Sequence, residues 1–386
     1  MNWLPWVFII PAVVLAWCSV WRSRKPKPPA SVPESWPPAT VIVPVKGHDE
    51  GLSENLHSLA ALDYPDYELI VVAQCARHIP PGVLPSGVRV LLACGGPANT
   101  SEKIQNLMAG IRHARRASTV LAFADSDGRV AKGWLRALVT PLSQPGVGAS
   151  TGYRWYVPDP PDFPSLLRSV WNAGIASLLG PSESPFAWGG AMAMRRELFC
   201  QLRIMDCWTG AVSDDYVLTR AVHDAGLHVA YVPGAMATSV DHIGFADLLR
   251  WTARQMIITR VYHPRLWLTG FAAHVTYCAG MVASAASGLW WALGLQLAPG
   301  MWKAARRGGW MHGLLSPAAT WLWMWSLAAS AFTRTIEWRG RRYTLSQPKV
   351  AVSDALPPGD AVTAPISAAG SKESPLAEVR GTARIE

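Results

Sequence analysis

Two long apolar runs bracket this chain, one at 3–21 and another of more than thirty residues beginning after position 266. A helix needs about 20 apolar residues to cross the hydrocarbon core of a bilayer, so both runs constrain what folds between them. The first run is uncharged and is followed, not preceded, by Arg22, Arg24, Lys25 and Lys27. A cleaved signal peptide has the reverse order of charge and ends in small residues. The expectation is therefore a retained anchor at 1–21, with its N-terminus outside and the rest entering the cytoplasm by the positive-inside rule. A stiff, proline-rich linker occupies 22–38. Two or three membrane helices are expected within 266–333, with a basic juxtamembrane segment at 334–345. The tail, 346–386, is rich in small residues and proline and is expected to be disordered.

Composition sharpens this. The chain has 386 residues, of which 16% are charged and twenty are Trp, a residue that concentrates where membrane meets water. A net charge of +9 raises nucleic acid as a partner. Yet many basic residues flank the apolar runs, and no basic stripe interleaved with aromatics lies elsewhere, so anionic headgroups fit better and no nucleic-acid partner is expected. Six cysteines lack C-x-x-C spacing, and two lie in apolar segments, which argues against both a zinc site and a secreted disulfide framework.

From Ala39 the pattern becomes α/β. Short apolar runs at 40–45, 69–73, 88–92 and 119–124 read as buried strands, and 52–62 and 104–117 carry helical spacing. Strands alternating with helices imply a largely parallel sheet covered on both faces, here within a catalytic domain at 39–250. Ligands of such sheets lie beyond the carboxyl ends of the strands, where Lys46, Gln74 and Asp125 fall. Residues 251–265 read as an interfacial helix on the membrane surface.

Several residues carry chemistry. A strand running into Asp125-Ser126-Asp127 sets two carboxylates at i, i+2, where a hard divalent cation can join them to a diphosphate; Asp, Ser and the following Gly128 are also ordinary turn formers. Ser213-Asp214-Asp215 opens a helical run, and its acids suit both a helix start and a general base. Arg250-Trp251 can hold a leaving diphosphate or sit at lipid headgroups. Lys103, at a helix start, can hold phosphate oxygens or stand in solvent. Trp188-Gly189-Gly190 is a tight loop that permits close backbone approach to a ligand. His242 and His48 read as structural. There is no Walker loop and no G-x-S-x-G motif.

In order, Val41 to Gly47, Leu62 to Glu68, Lys103-Ile104-Gln105-Asn106-Leu107, Asp125-Ser126-Asp127, Asp214-Asp215-Tyr216, Arg250-Trp251 and Ile336 to Tyr343 resemble the motifs of ceramide glucosyltransferase-like glycosyltransferases of family 2 or 21, including bacterial, hopanoid-associated enzymes. The resemblance spans about 1–345. It implies a GT-A fold flanked by N- and C-terminal transmembrane helices, a UDP-sugar donor, Mg2+ or Mn2+, and inverting transfer of a hexose to a membrane lipid. It places such an enzyme in the inner membrane, multi-pass, with its catalytic domain facing the cytoplasm. Carried over residue by residue, Asp125 and Asp127 match the metal and diphosphate aspartates, and Asp215 matches the base. Arg250-Trp251 match the end of (Q/R)-x-x-R-W. Lys46, Gln74, Lys103 and Asp214 join these as nucleotide-sugar residues. Two positions depart: Cys75 stands where the family has an aspartate, and Asp247 where it has Gln or Arg. A processive polysaccharide synthase and a non-catalytic nucleotide- or lipid-binding membrane protein are the alternatives.

Overall fold

The computed structural model describes residues 3–22, 33–47, 49–93, 95–96, 99–179, 184 and 186–347. Most of the expected linker, His48, Cys94 and the expected tail from 348 onward lie outside the described residues.

A seven-stranded sheet organises the centre. From one edge its strands are Arg89–Leu92, Tyr67–Ala73, Ala39–Pro44, Val120–Ala124, Ala191–Arg195, Val147–Thr151 and His228–Tyr231. The first four run parallel, as the alternation of strands and helices predicts. Ala191–Arg195 is antiparallel to both neighbours, so the sheet is mixed, yet largely parallel as expected: the other six strands run one way. The helix before it explains the reversal. Phe163–Ala176 does not return across the sheet but packs against the apolar helix Trp310–Ser330, and the chain re-enters from the opposite end. Ile42, Ile70, Leu121 and Phe123 are fully buried on one face, packed under the helix Glu102–His113 and its neighbours. Val41, Val43, Leu56 and Trp134 fill the other.

The order of the parallel strands fixes where a ligand belongs. Ala39–Pro44 lies between Tyr67–Ala73 on one side and Val120–Ala124 on the other, so the connections leave it in opposite directions. That reversal opens a crevice beyond the carboxyl ends of the strands.

The helices Trp6–Arg22, Pro264–Ala286, Trp290–Gly308 and Trp310–Ser330 pack on one another. Among the described residues, Pro264–Ala286 is the one helix long and apolar enough to cross a membrane; Trp6–Val20 is a shorter apolar helix. Trp290–Gly308 carries Lys303, Arg306 and Arg307 in its last turns. Trp3, Trp290, Trp291 and Trp310 are more than half exposed on this bundle.

Two segments differ from the sequence reading. Residues 251–262 continue the helix Phe245–Tyr262, which begins before the expected boundary and packs against the bundle helices. The basic segment after the last helix forms a hairpin, Thr335–Trp338 paired with Arg341–Thr344, seated on the catalytic domain through Ile336, Val212, Ile257 and Val261.

Candidate active site

The strand Val120–Ala124 is wholly buried, and its last residue delivers the chain into the turn Asp125-Ser126-Asp127-Gly128. That turn is tied down on three sides. Asn55 Nδ2 donates to the Ser126 carbonyl at 3.1 Å, Ser239 Oγ to the Asp127 carbonyl at 2.7 Å, and Ser126 Oγ to Asp49 at 2.5 Å. Fixed in this way, both aspartates face a cleft of about 440 Å³.

The second acidic pair arrives from the other half of the sheet. Ser213 caps the helix Asp214–Asp224 by accepting from the Tyr216 amide at 3.3 Å, which sets both acids in the first turn. Asp215 accepts from the Tyr216 amide at 2.8 Å and the Gly189 amide at 3.2 Å. Lys103, from the first turn of Glu102–His113, joins the two halves: its ammonium is 2.8 Å from Asp125 Oδ1 and 3.2 Å from Asp214 Oδ2. Asp125, Asp127, Asp214 and Asp215 therefore line one cleft.

The loop Trp188-Gly189-Gly190 lies between them and has no room for side chains. A Cβ on Gly189 would come 2.3 Å from Asp214 Oδ2, and one on Gly190 would come 2.6 Å from Asp125 Oδ2. The glycines thus let the backbone pass close to these acids, and Gly190 also makes room for the Trp188 indole.

Sequence reasoning missed Arg154. It lies on the short strand Arg154–Tyr156, is 8% exposed, and pairs with Asp125 Oδ2 at 3.0 Å and with both oxygens of Asp127 at 2.5 and 2.8 Å. No motif marks an isolated arginine among aromatics. Asp49 was missed as well; burial pushes its carboxyl up, Arg339 pulls it back, and Asp127 pushes it further up.

The acids divide in their electrostatics. Burial opposes the charge of Asp125, but Lys103 and Arg154 together outweigh it and hold the carboxyl below its ordinary range. Asp214 pairs with Lys103 too, yet burial raises it to about 7, against the pull of Lys103 and with the push of Asp215 and Asp125. The difference is the second cation, which only Asp125 has. Burial also opposes the charge of Lys103, but Asp125, Asp214 and Asp215 raise it above its usual value.

Of the other residues singled out in the sequence, Lys46 lines the cleft and is paired with Glu102 at 2.5 Å. Trp251 lines it too, edge-on to Trp171 at 5.2 Å and to Tyr156 at 5.8 Å. Gln74 is not among the residues that line the cleft; it is bonded to Gln105 at 2.8 Å and Arg341 at 3.3 Å. Arg250, read from the sequence either as a diphosphate ligand or as a headgroup residue, does not line the cleft. Its side chain is 69% exposed and pairs with Asp247 at 2.5 Å, the acid that replaces the first position of the motif. Arg254, one turn further on, is the arginine of this helix that lines the cleft. His242 lines the cleft as well, bridging Glu50 at 3.1 Å and the Pro160 carbonyl at 2.9 Å.

Residues 4–351 match Glycosyl transferase family 21. The chain belongs to that family. It is a glycosyltransferase, as the order of its motifs suggested. Among solved structures, a mannosyltransferase from Pyrobaculum calidifontis, determined with GDP-Man and Mn2+, is similar over 84% of this chain and 94% of its own, with 21% identity and a TM-score of 0.50. A glucosyl-3-phosphoglycerate synthase from Mycobacterium tuberculosis, determined with Mn2+ and UDP-glucose, aligns over 58% of this chain and 78% of its own, with 17% identity and a TM-score of 0.39. The first likeness shows the fold of this family 21 glycosyltransferase, a GT-A domain with a mixed sheet.

Proposed function

We propose that this glycosyltransferase moves a hexose, of the glucose or N-acetylglucosamine type, from a UDP-sugar to the hydroxyl of a membrane lipid, ceramide-like or hopanoid-like, with inversion. The observation that carries this reading is the Lys103 bridge, which gathers the Asp125/Asp127 turn and the Asp214/Asp215 helix start around one cleft. A single displacement needs both in reach of one anomeric carbon: a place for the leaving diphosphate and a base on the opposite side. Asp215 is that base. The Gly189 amide orients its Oδ2, from which it takes the acceptor proton as the new bond forms. Lys103 offsets charge that builds on the leaving diphosphate.

Asp125 and Asp127 are the residues that would hold Mg2+ or Mn2+. Two carboxylates on one turn are the oxygen donors such ions take, and each oxygen keeps a second lone pair beside the bond to Arg154 or Lys103. Bound there, the ion supplies positive charge to the diphosphate.

The exposed Trp-rich bundle supports an integral, multi-pass protein of the inner membrane with the GT-A domain on the cytoplasmic side. Trp251 and Ile258 wall the cleft from the helix that packs on this bundle, so a lipid hydroxyl has a short path to Asp215.

Membranes carrying the protein, incubated with labelled UDP-sugars and analysed by lipid mass spectrometry, test the reading. A labelled lipid is expected. Asp215→Asn should reduce its formation by about 10²- to 10⁴-fold while UDP-sugar binding persists. Equal loss of binding would assign Asp215 a structural role, and no labelled lipid from any UDP-sugar would refute the acceptor class.

A further inference from the structure

The hairpin that follows the last apolar helix was expected to lie at the membrane, yet its tip reaches into the catalytic cleft. Trp338, Arg339 and Tyr343 line that cleft. Arg339 Nη2 is 2.6 Å from Asp49 Oδ1, and Nη1 donates to the Lys46 carbonyl at the end of the central strand. Asp49 in turn accepts from Ser126, the middle residue of the Asp125-Ser126-Asp127 turn. One carboxylate therefore separates the Arg339 guanidinium from that turn, and the charges of Asp49, Asp127 and Asp125 all act on it.

Other contacts anchor the hairpin and leave Arg339 at its tip. Arg341 is 3.3 Å from Glu102 and from Gln74 Oε1, and Tyr343 OH accepts from the Glu102 amide at 3.4 Å. Ile336 is buried against Val212, Ile257 and Val261. The turn itself is costly for its sequence. Trp338 pairs with Arg341, so Arg339 and Gly340 are its two central residues, with φ of 48° and 74°. Turns with positive φ at both positions take Asn-Gly or Gly-Gly readily, whereas an arginine there is disfavoured. A connector has no need of it; a binding residue that must project from the tip does.

The charge around it argues the same way. Lys103 and Arg154 are nine-tenths buried or close to it and already committed to Asp125, Asp127 and Asp214. Arg339 keeps 35% of its side chain exposed at the mouth of the cleft, close to the carboxyl end of the strand where the crevice opens. A guanidinium with one carboxylate partner retains further donors for a second anion.

We infer that Arg339 is a donor-binding residue: the C-terminal hairpin presents it to the diphosphate of the nucleotide sugar. This rests on the nucleotide-sugar reading above and extends it to a segment some 290 residues away in sequence from the strand it touches. The hairpin thus completes the donor pocket from the far side of the bundle helices.

Isothermal titration of the full-length protein in detergent, with UDP and UMP in buffer containing Mn2+, tests this. Arg339→Gln is expected to weaken UDP binding by about 10- to 100-fold, the usual loss for a charged hydrogen bond, and UMP binding far less. Arg339→Lys should retain most UDP affinity. The UMP arm separates direct contact from mere tethering, because a turn loosened by loss of the Arg339–Asp49 pair would weaken both nucleotides alike. Unchanged UDP binding by Arg339→Gln overturns the inference and leaves the proposed function standing. So does equal weakening of UDP and UMP by Arg339→Gln, which would make the arginine only a strut. Failure of the native protein to bind either nucleotide would instead remove the donor reading itself. Should Arg339→Gln not fold, Arg339→Met is read by the same comparison of UDP with UMP.

Discussion

The Lys103 ammonium stands 3.2 Å from Asp214 Oδ2, and Asp214 is almost wholly buried. The pair joins the first turn of one helix to the first turn of another, and the same ammonium reaches Asp125. Removing one partner of a buried ion pair leaves an uncompensated charge and typically costs about 3 to 5 kcal/mol. Lys103→Met should therefore lower the thermal midpoint of the solubilised protein substantially. Replacing both partners, Lys103→Met with Asp214→Leu, should recover part of the loss, since no bare carboxylate then remains at position 214. A double variant no more stable than the single one would show that Lys103 matters through Asp125 alone.

Asp214 makes stability depend on pH. Its carboxyl is raised from the ordinary 3.8 to about 7, chiefly by burial. The folded protein then binds a proton that the unfolded chain has released, so across this window stability falls as pH rises. The contribution is fully present below about pH 4, declines between there and about 7, and is flat above. Asp214→Asn should flatten the change in thermal midpoint between pH 5 and 8 relative to the native protein. An unaltered slope would place the titration elsewhere.

Arg154 and a divalent ion ask for the same carboxylates. Arg154→Gln takes the counter-charge from both Asp125 and Asp127, so the metal-free protein should melt earlier. Added Mn2+ should then raise the midpoint more in the variant than in the native protein, because the ion no longer shares its ligands with a guanidinium. Equal shifts in the two proteins would mean that Arg154 does not compete.

How much of this was legible in the sequence varies with the range of the interaction. Short buried strands announced themselves because apolar runs such as 40–45 and 119–124 end in turn residues, and Asp125 followed from where its strand had to stop. Ser213 signalled the helix start that holds Asp214 and Asp215. Arg154 gave no sign, since its role depends on a strand brought beside the turn by tertiary packing. The antiparallel strand Ala191–Arg195 was hidden for a related reason: the helix before it packs on the bundle rather than on the sheet. The hairpin gave no sign of its contact with the cleft, because its basic residues suit a membrane surface equally well and only the fold brings Arg339 to Asp49.

The helix Phe245–Tyr262 carries three arginines, and the motif falls on Arg250, which does not line the cleft. Arg250 turns outward to Asp247, so its charge is met in solvent, where such a pair contributes little. Arg254 lines the cleft beside Trp338, 5.9 Å from the ring. Burial, with a smaller push from Arg339, lowers its guanidinium to about 10 in spite of Tyr156 and Asp127. It stays charged at neutral pH but is poorly compensated, a state that an incoming anion relieves. Arg254→Gln should therefore weaken binding of UDP by about tenfold or more, and Arg250→Gln by less than about threefold. The Arg254 variant should also fold at least as stably as the native protein, because an ill-matched, partly buried charge is gone. Loss of donor binding on changing Arg250, with Arg254→Gln silent, would mean that the helix turns its other face to the nucleotide.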